Sequence, residues 1–130
     1  PHETLPAILA KKGYRTIHAG KAHFGGRDTP GADPAKLGFD INIAGSHAGS
    51  PWGGWISPWL GKQKAVYPNL EDRPKGEYLT HAITMKAIDV VTQSIRNRKP
   101  FFLNMAHFAV HTPIAPAPAY IHSRMPAKAW

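Results

Sequence analysis

The stretch YRTIHAGKAHFGG (residues 14–26) predicts a strand and the loop that leaves it. Its first half alternates in polarity and is rich in residues that favour strands, so we expect a β-strand that ends at Gly20. The loop that follows places Lys21 and His23 two positions apart, between glycines. Ligands of open α/β sheets bind outside the carboxyl ends of the strands. A cation and an imidazole in this loop are therefore candidates for a binding site.

Apolar residues at helical spacing predict a helix on each side of this region. The first covers residues 3–12, with Gly13 where a C-terminal cap belongs. The second is a long amphipathic helix over residues 76–98 that ends in basic residues. It is followed by KPFFLNMAHF (residues 99–108), a continuous apolar run of the kind found in strands buried on both faces of a parallel sheet.

The segment between residues 20 and 76 is irregular, since it holds eleven of the 12 glycines and six prolines. We expect one short strand in it, over residues 39–43. Long irregular segments are uncommon in small domains and are typical of functional loops or of part of a larger protein. Trp52, Trp55 and Trp59 fall here, and packing of the loop onto the core is favoured over an aromatic wall around a substrate.

The order helix, strand, loop, helix, strand predicts the α/β class, with one side of a doubly wound, mostly parallel sheet and right-handed crossovers. Two helices cannot cover both faces of such a sheet. We therefore expect residues 1–130 to form one incomplete domain, a section of a larger α/β domain.

Composition limits the functional classes. The 130 residues suit a single domain, and 16 Lys and Arg against 8 Asp and Glu give a net charge of +8. This charge favours an anionic partner, but does not choose among nucleic acid, acidic glycans, phosphate esters and sulfate esters. The absence of cysteine excludes disulfides, thiolate metal sites and cysteine nucleophiles. No apolar run reaches the roughly 18 residues that predict a membrane span.

Four stretches carry a resemblance to a known family. ETLPAILAKKGYRTIHAGKAHFG (residues 3–25) resembles the second signature of the sulfatase family. GFD (38–40), EYLT (77–80) and KPFFLNMAHFAVHTPI (99–114) resemble later landmarks of that family, in the same order. The resemblance implies a mostly parallel sheet of the alkaline phosphatase superfamily and hydrolysis of sulfate esters. It also implies a formylglycine nucleophile and a bound divalent cation, usually calcium.

The resemblance assigns roles to three residues. Lys21 is expected to bind the sulfate oxygens and to offset charge that develops during displacement. His23 is expected to contact the hydrated formylglycine and to take the proton that permits sulfate elimination. His111, in HTP, corresponds to a histidine that contacts the sulfate or the leaving oxygen. We also consider His47, on the glycine-rich loop, a candidate substrate-binding residue.

This sequence also departs from the family pattern. It contains neither C-x-P-x-R nor S-x-P-x-R, the source of the formylglycine, nor the aspartates that hold the metal. Ala22 stands where an aromatic residue is usual, His81 replaces an acidic residue, and Val110 precedes His111 where proline is usual. We expect a central fragment of a sulfatase catalytic domain that carries part of the sulfate pocket and is inactive alone. Its nucleophile and calcium ligands would lie in the remainder of that domain, in an exported or lysosomal protein.

Other interpretations are less favoured. The sequence predicts that His18 is a packed or edge residue of its strand and that His107 is a hydrogen-bonded core residue. A zinc site formed by His107 and His111 is disfavoured, because their spacing suits a helix and the segment is predicted to be strand and loop. A basic module that binds nucleic acid or an anionic glycan is possible on charge, but the cations are scattered. A phosphonate or phosphate monoester hydrolase of the same superfamily is the remaining alternative.

Overall fold

The computed structural model describes residues 3–59 and 67–117. Within these ranges three strands, β1 (Arg15–Gly20), β2 (Ile41–Ile43) and β3 (Phe101–Ala106), form one parallel sheet in the order β2-β1-β3. The parallel α/β arrangement predicted from the sequence is confirmed.

Two helices flank the sheet, α1 (Leu5–Lys11) and α2 (Leu79–Arg96). Both lie inside the predicted ranges and are a few residues shorter. The Oγ1 atom of Thr4 caps α1 by accepting a hydrogen bond from the Ala7 backbone N–H, at 3.4 Å. Gly13 follows α1 with a φ of 85°, the left-handed conformation in which glycine terminates helices.

The core lies between the sheet and α2. Ile17 of β1 and Ile43 of β2 are fully buried against Leu79 and Ile83 of α2. Because β1 is the central strand, its residues are buried from Thr16 to the end of the strand. Neither this helix nor any other in the described ranges is both long and apolar enough to cross a bilayer.

The opposite face of β1 is also buried. Thr16 and His18 are 0% exposed there, next to Phe39. The Phe39 ring stacks on Phe102 of β3, with ring centroids 6.3 Å apart. Central β1 is therefore the strand that is covered on both faces.

β3 is less buried than the sequence predicts. Phe101 and Met105 are each 36% exposed, so the prediction of a strand buried on both faces is wrong. The physical reason is position, because in the described part of the sheet β3 is an edge strand and β1 is its sole neighbour.

The irregular segment is held by short turns and by aromatic packing. β2 covers three of the five residues predicted for it, and two 3₁₀ turns, Pro30–Ala32 and Pro34–Leu37, precede it. Trp55 and Trp59 are buried, which confirms the packing interpretation for both, whereas Trp52 is 44% exposed. The prediction of a long loop system between β1 and α2 is confirmed.

Candidate functional site

The candidate site lies at one edge of the sheet. Because the three strands are parallel, their carboxyl ends, at Gly20, Ile43 and Ala106, meet at the same edge. Lys21 and His23 leave β1 there, and His111 lies on the loop that follows β3. The sequence prediction that these residues follow strand ends is confirmed.

Lys21 is fixed by its backbone to the end of β3. Its N–H donates to the Ala106 carbonyl at 2.6 Å. The preceding Gly20 has a φ of 107°, and a Cβ at that position would overlap the Ala106 carbonyl, 2.6 Å from its carbon. The two strand ends are therefore in close contact, and Lys21, which is half-buried, begins the loop from this junction.

His23 lies against the loop that follows β2. Its N–H donates to the Ser46 carbonyl at 3.0 Å, and its φ of 53° is left-handed, which is uncommon outside glycine. A Cβ on Gly49 would lie 2.7 Å from Cε1 of His23, so the ring packs over that glycine. His23 is exposed.

His111 has one of its two ring nitrogens occupied. Its Nδ1 lies 2.7 Å from the Thr112 carbonyl oxygen, which can only accept, so Nδ1 carries the proton. Its backbone N–H donates to the Phe108 carbonyl at 2.8 Å. In the neutral ring, Nε2 is then an acceptor, and in the charged ring it is a second donor. Only the charged form can donate from Nε2 to an ester oxygen, because that oxygen can only accept.

His47 lies on the loop after β2, close to two of its neighbours. Its Nε2 accepts from Nε of Arg27 at 3.4 Å, and its ring meets the exposed Trp52 edge-on, with centroids 6.0 Å apart. His47 therefore contacts both the guanidinium of Arg27 and the ring of Trp52. This pair of neighbours suits an anionic, partly apolar ligand.

Lys21, His23 and His111 are positioned by backbone hydrogen bonds and not by contacts between their side chains. In residues 3–59 and 67–117, no side-chain hydrogen bond joins Lys21, His23 and His111 to one another. They share a frame made by the Lys21 bond to Ala106 and the His23 bond to the loop after β2. The structure brings together the loops that follow β1, β2 and β3, at the carboxyl edge of the sheet.

Sequence reasoning was wrong about His107, which begins the loop after β3. It was predicted to be a hydrogen-bonded core residue, but it is half-buried, and its buried Nδ1 has no hydrogen-bond partner in the described part of the chain. Burial lowers the pKa of His107. The backbone of Ala106 and His107 packs on Gly20, so His107 lies next to the start of the loop that carries Lys21. The sequence signal that could have found it is its place near the end of the apolar run, where the strand gives way to a loop.

The calcium site implied by the resemblance does not fit the residues described. Among residues 3–59 and 67–117, no group of three or more histidines and carboxylates lies close enough together to hold a metal ion. Calcium prefers six to eight oxygen ligands, largely from carboxylates and carbonyls. The loops of the candidate site carry a cation and imidazoles instead. Such side chains can bind anions and exchange protons.

Comparisons with known proteins identify the family of this chain. The family model for sulfatases matches residues 1–127. Among curated proteins, the mouse (Mus musculus) N-acetylgalactosamine-6-sulfatase is 33% identical over 125 residues, which cover 85% of this chain and 22% of that relative. The chain thus spans about a fifth of the length of the relative it matches. Together, the match over nearly all residues and the sulfatase landmarks in the two strand-end loops show that this chain belongs to the sulfatase family.

Proposed function

We propose that this chain supplies part of the sulfate-binding pocket of a longer sulfuric ester hydrolase. The observation that carries the proposal is the junction of β1 and β3, where the Lys21 N–H donates to Ala106. This bond holds a lysine at the edge of the sheet where all three strands end and their loops begin. Membership of the sulfatase family supports the assignment of an anionic ester as the ligand.

Each of the three residues has a role in this proposal that suits its chemistry. The Lys21 ammonium is a compact charge with three donors, which suits the oxygens of a tetrahedral anion. His23 is exposed, so its imidazole can take up and release a proton at the ester. His111, through Nε2, would contact the sulfate or the leaving oxygen. His47 would line the pocket beside Trp52.

The remainder of the catalytic domain is part of the same proposal. The chain contains neither C-x-P-x-R nor S-x-P-x-R, from which a formylglycine could be made, and the described residues form no calcium site. The nucleophile and the metal ligands would therefore come from sequence outside this chain. An exported or lysosomal location is proposed on family resemblance alone.

The isolated 130-residue chain is expected to show no measurable hydrolysis of an aryl sulfate. Residues that act as one catalytic unit fail together, so part of a pocket without its nucleophile retains little rate. The measurement is release of the phenol over hours at high protein concentration. Turnover that is abolished by Lys21→Ala would contradict the prediction.

Lys21→Ala in the full-length protein is expected to lower kcat/KM for a sulfate ester about 100- to 1,000-fold, the usual effect of removing one preorganised electrostatic contact. Lys36→Ala is the matched control, because Lys36 is an exposed lysine on a 3₁₀ turn before β2. A sulfated sugar, an aryl sulfate and an aryl phosphate should be assayed in parallel. Equal loss in both lysine variants would contradict the proposed role, and faster turnover of the phosphate would favour a phosphate monoester hydrolase.

The sulfated sugar is included because the curated relative is named for a sulfated N-acetylgalactosamine. A sugar sulfate would also suit the pairing of a cation with an exposed aromatic ring at Arg27, His47 and Trp52. A module that binds a nucleic acid backbone would behave differently. Its affinity for the nucleic acid would fall steeply with added salt, and it would turn over none of the three esters.

A further inference from the structure

The peptide group between Gly20 and Lys21 is held at both of its polar atoms. Its N–H donates to the Ala106 carbonyl at 2.6 Å, and its carbonyl oxygen lies 3.0 Å from Nε2 of His18. Because a peptide group is planar, fixing both atoms fixes the rotation of the whole unit. That rotation sets the direction in which Lys21 leaves the sheet.

The tautomer of His18 follows from its two partners. The Gly20 carbonyl can only accept, so Nε2 of His18 carries the proton and donates. Nδ1 is then the acceptor, and Nδ2 of Asn104 donates to it at 3.0 Å. Asn104 lies directly opposite His18 in the register of β1 and β3. Burial lowers the pKa of His18, which agrees with a neutral ring.

The His18 ring is also enclosed by the loops of the candidate site. It is fully buried, with the rings of Phe24 and Phe39 edge-on to it, each centroid 5.4 Å away. On the side of β2, a Cβ on Gly45 would lie 2.6 Å from Cδ2 of the ring. Phe24 directly follows His23. The loop that carries Lys21 and His23 is therefore attached to His18 at both ends, by a hydrogen bond to Gly20 and by an aromatic contact with Phe24.

We propose that His18 is a positioning residue for the sulfate pocket, which orients the Gly20–Lys21 peptide and so directs the Lys21 ammonium toward the ligand, with Asn104 fixing its tautomer. This inference rests on the proposed function of Lys21. His18 does not touch the ligand. Its effect on turnover passes through the backbone of the loop.

The test uses three variants of the full-length protein. His18→Leu removes both ring nitrogens at similar volume, and His18→Gln keeps an amide donor near the position of Nε2. Thr16→Val is the matched control, because Thr16 is fully buried on the same face of β1 and donates to the Gly38 carbonyl at 2.9 Å, away from the loop. Two quantities are measured for each variant: kcat/KM for a sulfate ester, and amide hydrogen exchange of peptides that cover residues 20–24.

For His18→Leu we expect faster exchange in residues 20–24 and a loss of about 100-fold in kcat/KM, since a small misplacement of a binding group can cost that much. His18→Gln should restore most of the protection from exchange and most of kcat/KM. Thr16→Val should leave the exchange rate and kcat/KM close to wild type. Unchanged exchange in His18→Leu would overturn the inference. Faster exchange with unchanged kcat/KM would support the positioning of the loop and overturn the proposed role of Lys21.

A second variant keeps the test decisive if His18→Leu does not fold. Asn104→Leu, at a half-buried position, removes the donor to Nδ1 while the imidazole remains. The ring can then take the other tautomer, in which Nε2 no longer donates to Gly20. We expect the same direction of change in exchange and in kcat/KM, with a smaller size. No change in either quantity would overturn the inference.

Discussion

Replacing His23 with alanine in the full-length protein is expected to lower kcat for a sulfate ester about 100- to 10,000-fold, the range for losing a general acid or base. KM should change far less, because the ammonium of Lys21 remains to bind the anion. Alanine has a Cβ like histidine and shares the cost of the left-handed φ of 53° at this position. The folding free energy should therefore stay close to wild type, and the loss can be read as chemistry. Steady-state kinetics measure kcat and KM, and a thermal unfolding curve measures the change in stability.

His81→Ala is the matched control for this variant. The His81 imidazole is exposed on α2, where its Nδ1 lies 2.7 Å from the Glu77 carboxylate. Its removal should leave kcat and KM near wild type. Equal losses of kcat and of substrate affinity in His23→Ala would argue against a catalytic role for His23.

Replacing Gly20 with alanine is expected to reduce the free energy of unfolding by about 3 kcal/mol or more, from left-handed strain together with an overpacked contact. The new Cβ would overlap the Ala106 carbonyl, so β1 and β3 would have to separate where the Lys21 N–H donates to it. Denaturant unfolding of the full-length protein measures the loss. Activity should fall with it, because the same movement displaces Lys21.

Gly13→Ala separates the cost of left-handed backbone strain from the cost of steric overlap at Gly20. Gly13 has a φ of 85°, but a Cβ there would meet nothing within 4 Å. Its replacement should cost about 1 to 2 kcal/mol, from the backbone conformation alone. If both variants lost the same free energy, the close approach at Gly20 would not matter to the fold.

The local elements were predictable because their signals lie in adjacent residues. The apolar spacing of α1 and α2 and the β-forming residues of β1 placed each element within a few residues of its observed bounds. Short-range patterns suffice where the strand is central and both faces are covered, as they are for β1. The loop positions of Lys21 and His23 followed directly from the end of that strand.

Burial at β3 could not be predicted in the same way. An apolar run indicates that a strand is suited to burial, not that its neighbours are present, and the exposure of Phe101 and Met105 depends on what lies beyond the edge. His107 was misjudged for a related reason. Whether a ring nitrogen has a partner depends on residues distant in sequence, which periodicity does not show.

The role inferred for His18 was likewise outside the reach of sequence patterns. Its position in the strand predicted a packed or edge residue, and its complete burial shows that it is packed. Its tautomer, however, is set by Asn104, 86 residues away along the chain. Only the register of β1 and β3 brings these two side chains together.

Residue 23 is a position at which stability and chemistry make opposite demands. With a φ of 53° the backbone there is one that glycine adopts at little cost, whereas a side chain such as histidine loses roughly 1 to 2 kcal/mol. A chain optimised for folding alone would place glycine at this position, next to Phe24 and two further glycines, and the loop would become more stable. Under the role proposed for His23, the protein gives up part of its folding free energy to keep an imidazole there, and a stabilising change to glycine would remove the proposed proton carrier.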